Sequence, residues 1–148
     1  VYDRELTVTL AEAAAALGAI RLFVVHGLDG LDEITLTGPT RIAEVKDGVV
    51  TSYEVRPGDF GLRTCAKEAL AGGEPAENAK IIRNLLAGES GPRRDIVLLN
   101  SAAAIVAGGR AGDFAEGIKA AARAIDSGMA LQKLDQLVAA TRQAQAST

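Results

Sequence analysis

Apolar residues recur at Leu6, Leu10, Ala13 and Leu17, a spacing that predicts one face of a helix. Asp3 is placed to cap its start, and Gly18 to end it as the C′ glycine. "RLFVV" (21–25) follows as a continuous apolar run, the pattern of a strand buried on both faces in a parallel sheet. "TRIAEVKDGVVTSYEV" (40–55) then alternates at Val49, Thr51, Tyr53 and Val55, and Asp47-Gly48 supplies a turn that admits positive φ. This predicts a β-hairpin from Thr40 to Val55. "RPGDFGL" (56–62) reads as a loop.

From Gly73 onward the period becomes helical. Pro75 suits a first helical position, with Ile81, Ile82, Leu85 and Leu86 on one stripe and Gly88 beyond the end. A second helix opens at Pro92, carries Ile96, Leu99, Ala103 and Val106, and stops at Gly108-Gly109. A third begins near Asp113 and carries Phe114, Ile118, Ala121 and Ile125 to Gly128. A fourth carries Leu131, Leu134, Leu137 and Val138, after which "QAQAST" is expected to fray.

The chain is thus read as α/β with a helix-rich second half. It holds no internal repeat and no low-complexity tract. One strand buried on both faces needs neighbours on both edges, and the sequence supplies only the hairpin. An open apolar edge promotes association, so the pattern predicts the second part of a larger α/β domain. The chain also opens at Val1, almost directly into a helical pattern, which fits either lost upstream sequence or a removed tag.

Composition narrows the function. The length of 148 residues suits one domain with a real core. Aromatics make up 3% with no Trp, which leaves little for a base-stacking platform. A net charge of −3 argues against a polyanionic partner such as nucleic acid. Cys65 is the single cysteine, so no internal disulfide forms and a reducing compartment is expected. No apolar run has membrane-spanning length and no leader pattern is present. A soluble, cytoplasmic protein is expected.

The chemistry concentrates in "HGLDGLDE" (26–33), at the carboxyl end of the Arg21–Val25 strand, where ligands gather in open α/β sheets. Gly27 and Gly30 permit sharp turns and close approach. Asp29, Asp32 and Glu33 offer hard oxygens of the kind Mg²⁺ takes, alongside waters and ligand phosphates. Because Asp32 and Glu33 are adjacent, only a loop aims both at one site. The spacing does not match an EF-hand. A solvated acidic turn fits the same residues, and both readings stand at this level. His26 reads as a hydrogen-bonded structural histidine, and Cys65 as an ordinary thiol. Arg93-Arg94 reads either as a phosphate grip or, more commonly, as partners for local acids. Glu77 and Asn78 suit a first helical turn. There is no GxGxxG, Walker or GxSxG motif.

Taken together, "VVHGLDGLDEITLTGPTRIAEVKDG", "PGDFGL", "GGEPAENAKIIRNLLAGESGPRRDIVLLNSAAAIVAGG" and "AIDSGMALQKLDQLV" resemble the carboxy-terminal half of the anthranilate phosphoribosyltransferase family. The likeness runs in order from near Val1 to about Thr141. The HGxDGLDE, PRRDxVLLN and IDSG motifs are specific in combination. The resemblance implies a partial large domain of the nucleoside phosphorylase/phosphoribosyltransferase-like fold. It implies transfer of phosphoribose from phosphoribosyl pyrophosphate (PRPP) to anthranilate in tryptophan biosynthesis, with Mg²⁺ required and the whole enzyme a homodimer. The family's adjacent Asp-Glu pair, which binds Mg²⁺ bridging to the pyrophosphate, matches Asp32 and Glu33. No catalytic role carries over to His26 or Asp29. The family's GTGGD-type phosphate loop, its KHGN segment and its anthranilate-contacting arginine do not occur in these 148 residues. The resemblance therefore implies that substrate-binding residues lie upstream of Val1, and that the chain alone is inactive. Two other readings remain open from sequence: a non-catalytic relative that binds a ligand or nucleic acid, and a folded piece with no ligand at all.

Overall fold

The computed structural model describes residues 1–146. The chain runs α1 (Leu6–Ala16), β1 (Arg21–Gly27), β2 (Thr40–Lys46), β3 (Val49–Val55), α2 (Pro75–Leu86), α3 (Pro92–Ala107), α4 (Phe114–Asp126) and α5 (Met129–Ala146). Short 3₁₀ turns lie at Pro57–Phe60 and Lys67–Leu70. The α/β class and the helix-rich second half are as the patterning predicts.

The strands form one sheet in the order β1-β2-β3. The predicted hairpin is present, with Asp47 and Gly48 at φ 52° and 79° in the turn. The parallel character expected of Arg21–Val25 is corrected. The strand extends to Gly27 and pairs antiparallel with β2, Val25 opposite Ile42 and Gly27 opposite Thr40. Its burial on both faces is nonetheless real. Val24 packs with Ala43 and Val45 beneath Ala11 of α1. On the opposite face Phe23 and Val25 join Ile34, Leu36, Ile42 and Leu99 of α3. An unbroken apolar run reports a covered strand; it carries no information about the direction of the neighbour.

Helix α1 lies on the sheet by a different face from the one its leucines suggest. Thr7 and Ala11 are buried, whereas Leu10 is 42% and Leu17 90% exposed. Small side chains let the helix approach the strands closely, and the Thr7 hydroxyl donates to the Arg4 carbonyl at 2.7 Å. Asp3 is not the N-cap: it accepts from the N–H of Glu5, the N-cap itself, at 2.9 Å and so lies too early. Gly18 does end the helix, at φ 89°.

The later helix boundaries follow their signals. Pro75 and Pro92 open α2 and α3, and the Asp113 carboxylate caps α4 by accepting from the Glu116 N–H at 2.9 Å. Leu85, Leu98, Ala121 and Ile125 make the core between α2, α3 and α4. Gly117 sets the α3–α4 spacing, because a Cβ there would lie 2.9 Å from Ala102 Cα. Helix α5 continues through Ala146, past Gln143 where fraying is predicted; the rest of that stretch, Ser147 and Thr148, lies outside the described residues. Among the described residues no helix is long and apolar enough to cross a membrane.

Candidate metal site

The β1–β2 connection is a loop closed by its own backbone. Gly27 N–H donates to Leu31 O at 2.7 Å, Gly30 N–H to Gly27 O at 2.9 Å, and Leu28 N–H to Pro39 O at 2.9 Å. Gly30 sits at φ 95°, where an L side chain is strained. Gly27 answers to space instead, and its close approach is to Asp29, with no ligand involved. A Cβ at Gly27 would meet the Asp29 Oδ1 at 2.5 Å.

Asp29 is the structural acid of the three. Its Oδ1 accepts from the Leu31 N–H at 3.2 Å, and its Oδ2 accepts from the hydroxyls of Thr35 (2.7 Å) and Thr37. Burial alone would raise this carboxyl. The Thr37, Thr35 and Leu31 hydrogen bonds outweigh it and hold Asp29 below its ordinary value of 3.8. With a folded value under the unfolded one, the charged form stabilises the loop above pH 3.8, and that stability is lost as pH falls through the lower folded value. Asp29→Asn is expected to cost about 1 kcal/mol at pH 7. Urea melts in steps from pH 7 to pH 3 should show the gap from wild type closing at the acid end. A gap independent of pH would contradict this role.

Asp32 and Glu33 are the opposite case. Both are exposed, and neither carboxylate has a hydrogen-bond or ion-pair partner among the described residues. Their backbone, by contrast, is held on both sides. The Gly27 N–H holds the Leu31 carbonyl, just before Asp32, at 2.7 Å. Immediately after Glu33 the chain dives into the core at Ile34, which is 1% exposed. There Asn100 of α3 makes a paired contact. Its Oδ1 accepts from the Ile34 N–H at 2.9 Å, and its Nδ2 donates to the Ile34 carbonyl at 2.9 Å. Two free carboxylates on a fixed backbone suit a hard cation that takes its other oxygens from water or a bound anion. Among the described residues no group of three or more His, Cys, Asp or Glu side chains is placed to hold a metal. Two carboxylates alone therefore do not make an all-protein cage.

The other sequence candidates resolve into structural roles. The His26 Nδ1–H donates to the Val1 carbonyl at 2.9 Å. Cys65 packs in the core near α3, and burial followed by the Asp95 charge pushes its thiol up, the reverse of an activated nucleophile. Arg94 pairs with Asp126 at 2.7 Å, tying α3 to α4, while Arg93 donates to the Ala71 carbonyl at 2.7 Å. Asn78 bonds the backbone as expected, with the N–H and C=O of Gly73 both at 2.8 Å. Asn100, Thr35 and Thr37 are the site residues that sequence reasoning missed. The only local signal was an asparagine on the otherwise apolar face of α3.

A three-stranded sheet covered by helices, with an acid pair that has no partner among the described residues on the loop after β1, defines an α/β domain whose free carboxylates gather beyond one strand end. Residues 1–131 match the model of the glycosyl transferase family, a/b domain, and the chain belongs to that family. It is 52% identical over 142 residues, 96% of its length, to the anthranilate phosphoribosyltransferase of Syntrophotalea carbinolica, of which it spans 40%. Among solved structures it superposes on the anthranilate phosphoribosyltransferase of Thermus thermophilus with a TM-score of 0.83 and 39% identity, over 94% of this chain and 41% of that one. It also superposes on the Saccharomyces cerevisiae enzyme in complex with PRPP and Mg, with a TM-score of 0.78 and 31% identity, over 91% of this chain and 39% of that one. The chain thus spans about 40% of the length of the curated relatives it matches.

Proposed function

We propose that this chain is the carboxy-terminal part of the α/β domain of an anthranilate phosphoribosyltransferase. The whole polypeptide would transfer phosphoribose from PRPP to the amine of anthranilate, releasing pyrophosphate, as a cytoplasmic homodimer. The observation that carries this reading is the acid pair. Within a chain 52% identical to such an enzyme, Asp32 and Glu33 stand exposed, without a partner among the described residues, on a backbone fixed from both sides.

Asp32 and Glu33 are the residues that would hold Mg²⁺. When bound, Mg²⁺ supplies Lewis-acid stabilisation of the negative charge that gathers on the departing diphosphate. The rest of the loop contributes by staying still. Asp29 locks the first turn, and Asn100 locks the point where the loop enters the core, so the two carboxylates need little reorganisation to meet a cation. The anthranilate subsite is assigned to the remainder of the polypeptide, where the family resemblance implies it lies. Room for that remainder exists along β1. Its outer edge carries no strand among the described residues, Val1 already bonds there to the Val25 carbonyl at 2.7 Å, and a groove of about 280 Å³ beside it is lined by Phe23, Val25, Ile34 and Ala103.

The test is an assay of the longer polypeptide that contains this chain. Loss of anthranilate fluorescence should require both PRPP and Mg²⁺ and should release one pyrophosphate per anthranilate consumed. Transfer to a different acceptor, or none at all, would refute the assignment.

A further inference from the structure

We infer that Asn100 is a positioning residue for the Asp32–Glu33 pair, acting on metal affinity through the backbone of Ile34. The inference deepens the proposed function and rests on its metal reading. Asn100 lies on α3, 66 residues along the chain from Ile34, and reaches both backbone groups of that residue. An amide side chain alone can do this, because it offers an acceptor and a donor in one plane, as one strand edge offers another. The second Nδ2 hydrogen donates to the Ile96 carbonyl at 3.0 Å, within the same helix, so the amide cannot rotate without losing all three bonds.

The clamp stands one residue from Glu33 and two from Asp32. Ile34 is buried and Asn100 half-buried, so removing the amide takes away the partner of both Ile34 backbone groups at once. The helix bearing Asn100 is itself held: Arg94 bonds Asp126 of α4, and the glycine at 117 lets α4 sit against Ala102. The direction in which Glu33 leaves the core is therefore set by the α3–α4 pair and reported to the acids through one side chain. Groups that orient metal ligands without touching the metal commonly change affinity by about 10- to 100-fold when removed.

The experiment titrates Mn²⁺ into this chain and follows paramagnetic broadening of its backbone amide resonances. In wild type, broadening should centre on residues 30–35. Asn100→Leu should need about tenfold more Mn²⁺ for the same broadening, and hydrogen exchange at the Ile34 amide should accelerate. Asn100→Asp, which keeps the acceptor for the Ile34 N–H and loses the donor to its carbonyl, should fall between. Val45→Ala, in the separate cluster under α1 and at the end of β2 remote from the loop, is the stability control and should leave the Mn²⁺ midpoint unchanged. If Asn100→Leu does not fold, Asn100→Asp with the same control decides. An unchanged midpoint in a folded Asn100 variant overturns the inference. If Asp32→Asn with Glu33→Gln also leaves the broadening unchanged, the metal reading itself fails, and the positioning role with it.

Discussion

Asp32→Asn and Glu33→Gln, each introduced into the longer polypeptide, are expected to lower phosphoribosyl transfer by about 10²- to 10³-fold at limiting Mg²⁺, without lowering the melting temperature. The size follows from what the pair would do. Charge builds on the diphosphate as the anomeric bond breaks, and loss of one preorganised stabiliser of such charge costs about 3–4 kcal/mol. Excess Mg²⁺ should restore part of the rate, because the remaining carboxylate and the diphosphate still offer oxygens. The indifference of stability follows from the geometry. Both side chains are exposed and make no bond among the described residues, so the amides remove no such contact and relieve repulsion between neighbouring acids. Activity and melting temperature, measured on the same preparations, separate this from a folding defect. Asp29→Asn is the contrasting variant, since its carboxylate holds the loop and it should lose stability first.

The 148-residue chain by itself is expected to give no measurable turnover of anthranilate with PRPP and Mg²⁺. Two carboxylates on a solvated loop hold Mg²⁺ only in the millimolar range, worth roughly 4 kcal/mol, because the ion surrenders its waters reluctantly. No GxGxxG or Walker motif is present to hold phosphate. The arginines at the start of α3 each place Nη2 on a group of the chain itself, Arg94 on Asp126 and Arg93 on the Ala71 carbonyl. The glycine-rich phosphate loop that the family resemblance implies is not in the sequence. A fluorescence assay on the purified chain, run beside the longer polypeptide, checks this. Any catalytic loss of anthranilate by the chain alone would mean that the acceptor subsite lies within these residues.

Local signals carried the parts of the fold that local physics decides. Asp47-Gly48 placed the hairpin because two consecutive positive φ angles leave few other residues possible. Pro75, Pro92 and Asp113 placed three helix starts for similarly local reasons. Strand direction was not legible in "RLFVV", since a strand covered on both faces looks the same beside either kind of neighbour. The buried face of α1 was not legible either, because its leucines form the more regular stripe, whereas the contact uses Thr7 and Ala11. That exposed leucine stripe is consistent with further protein packing there. The acidic loop was legible as a cluster, but its division of labour was not. Separating Asp29 from Asp32 and Glu33 depends on two threonine hydroxyls, and fixing the pair depends on an asparagine 66 residues away.

The most direct test of the acid pair's role is electron paramagnetic resonance of Mn²⁺ with the longer polypeptide and pyrophosphate. Wild type should deplete the free Mn²⁺ signal well beyond what pyrophosphate alone removes, and the Asp32→Asn, Glu33→Gln double variant should remove no more than pyrophosphate alone. Equal depletion by both proteins would contradict the assignment and leave Asp32 and Glu33 as a solvated turn.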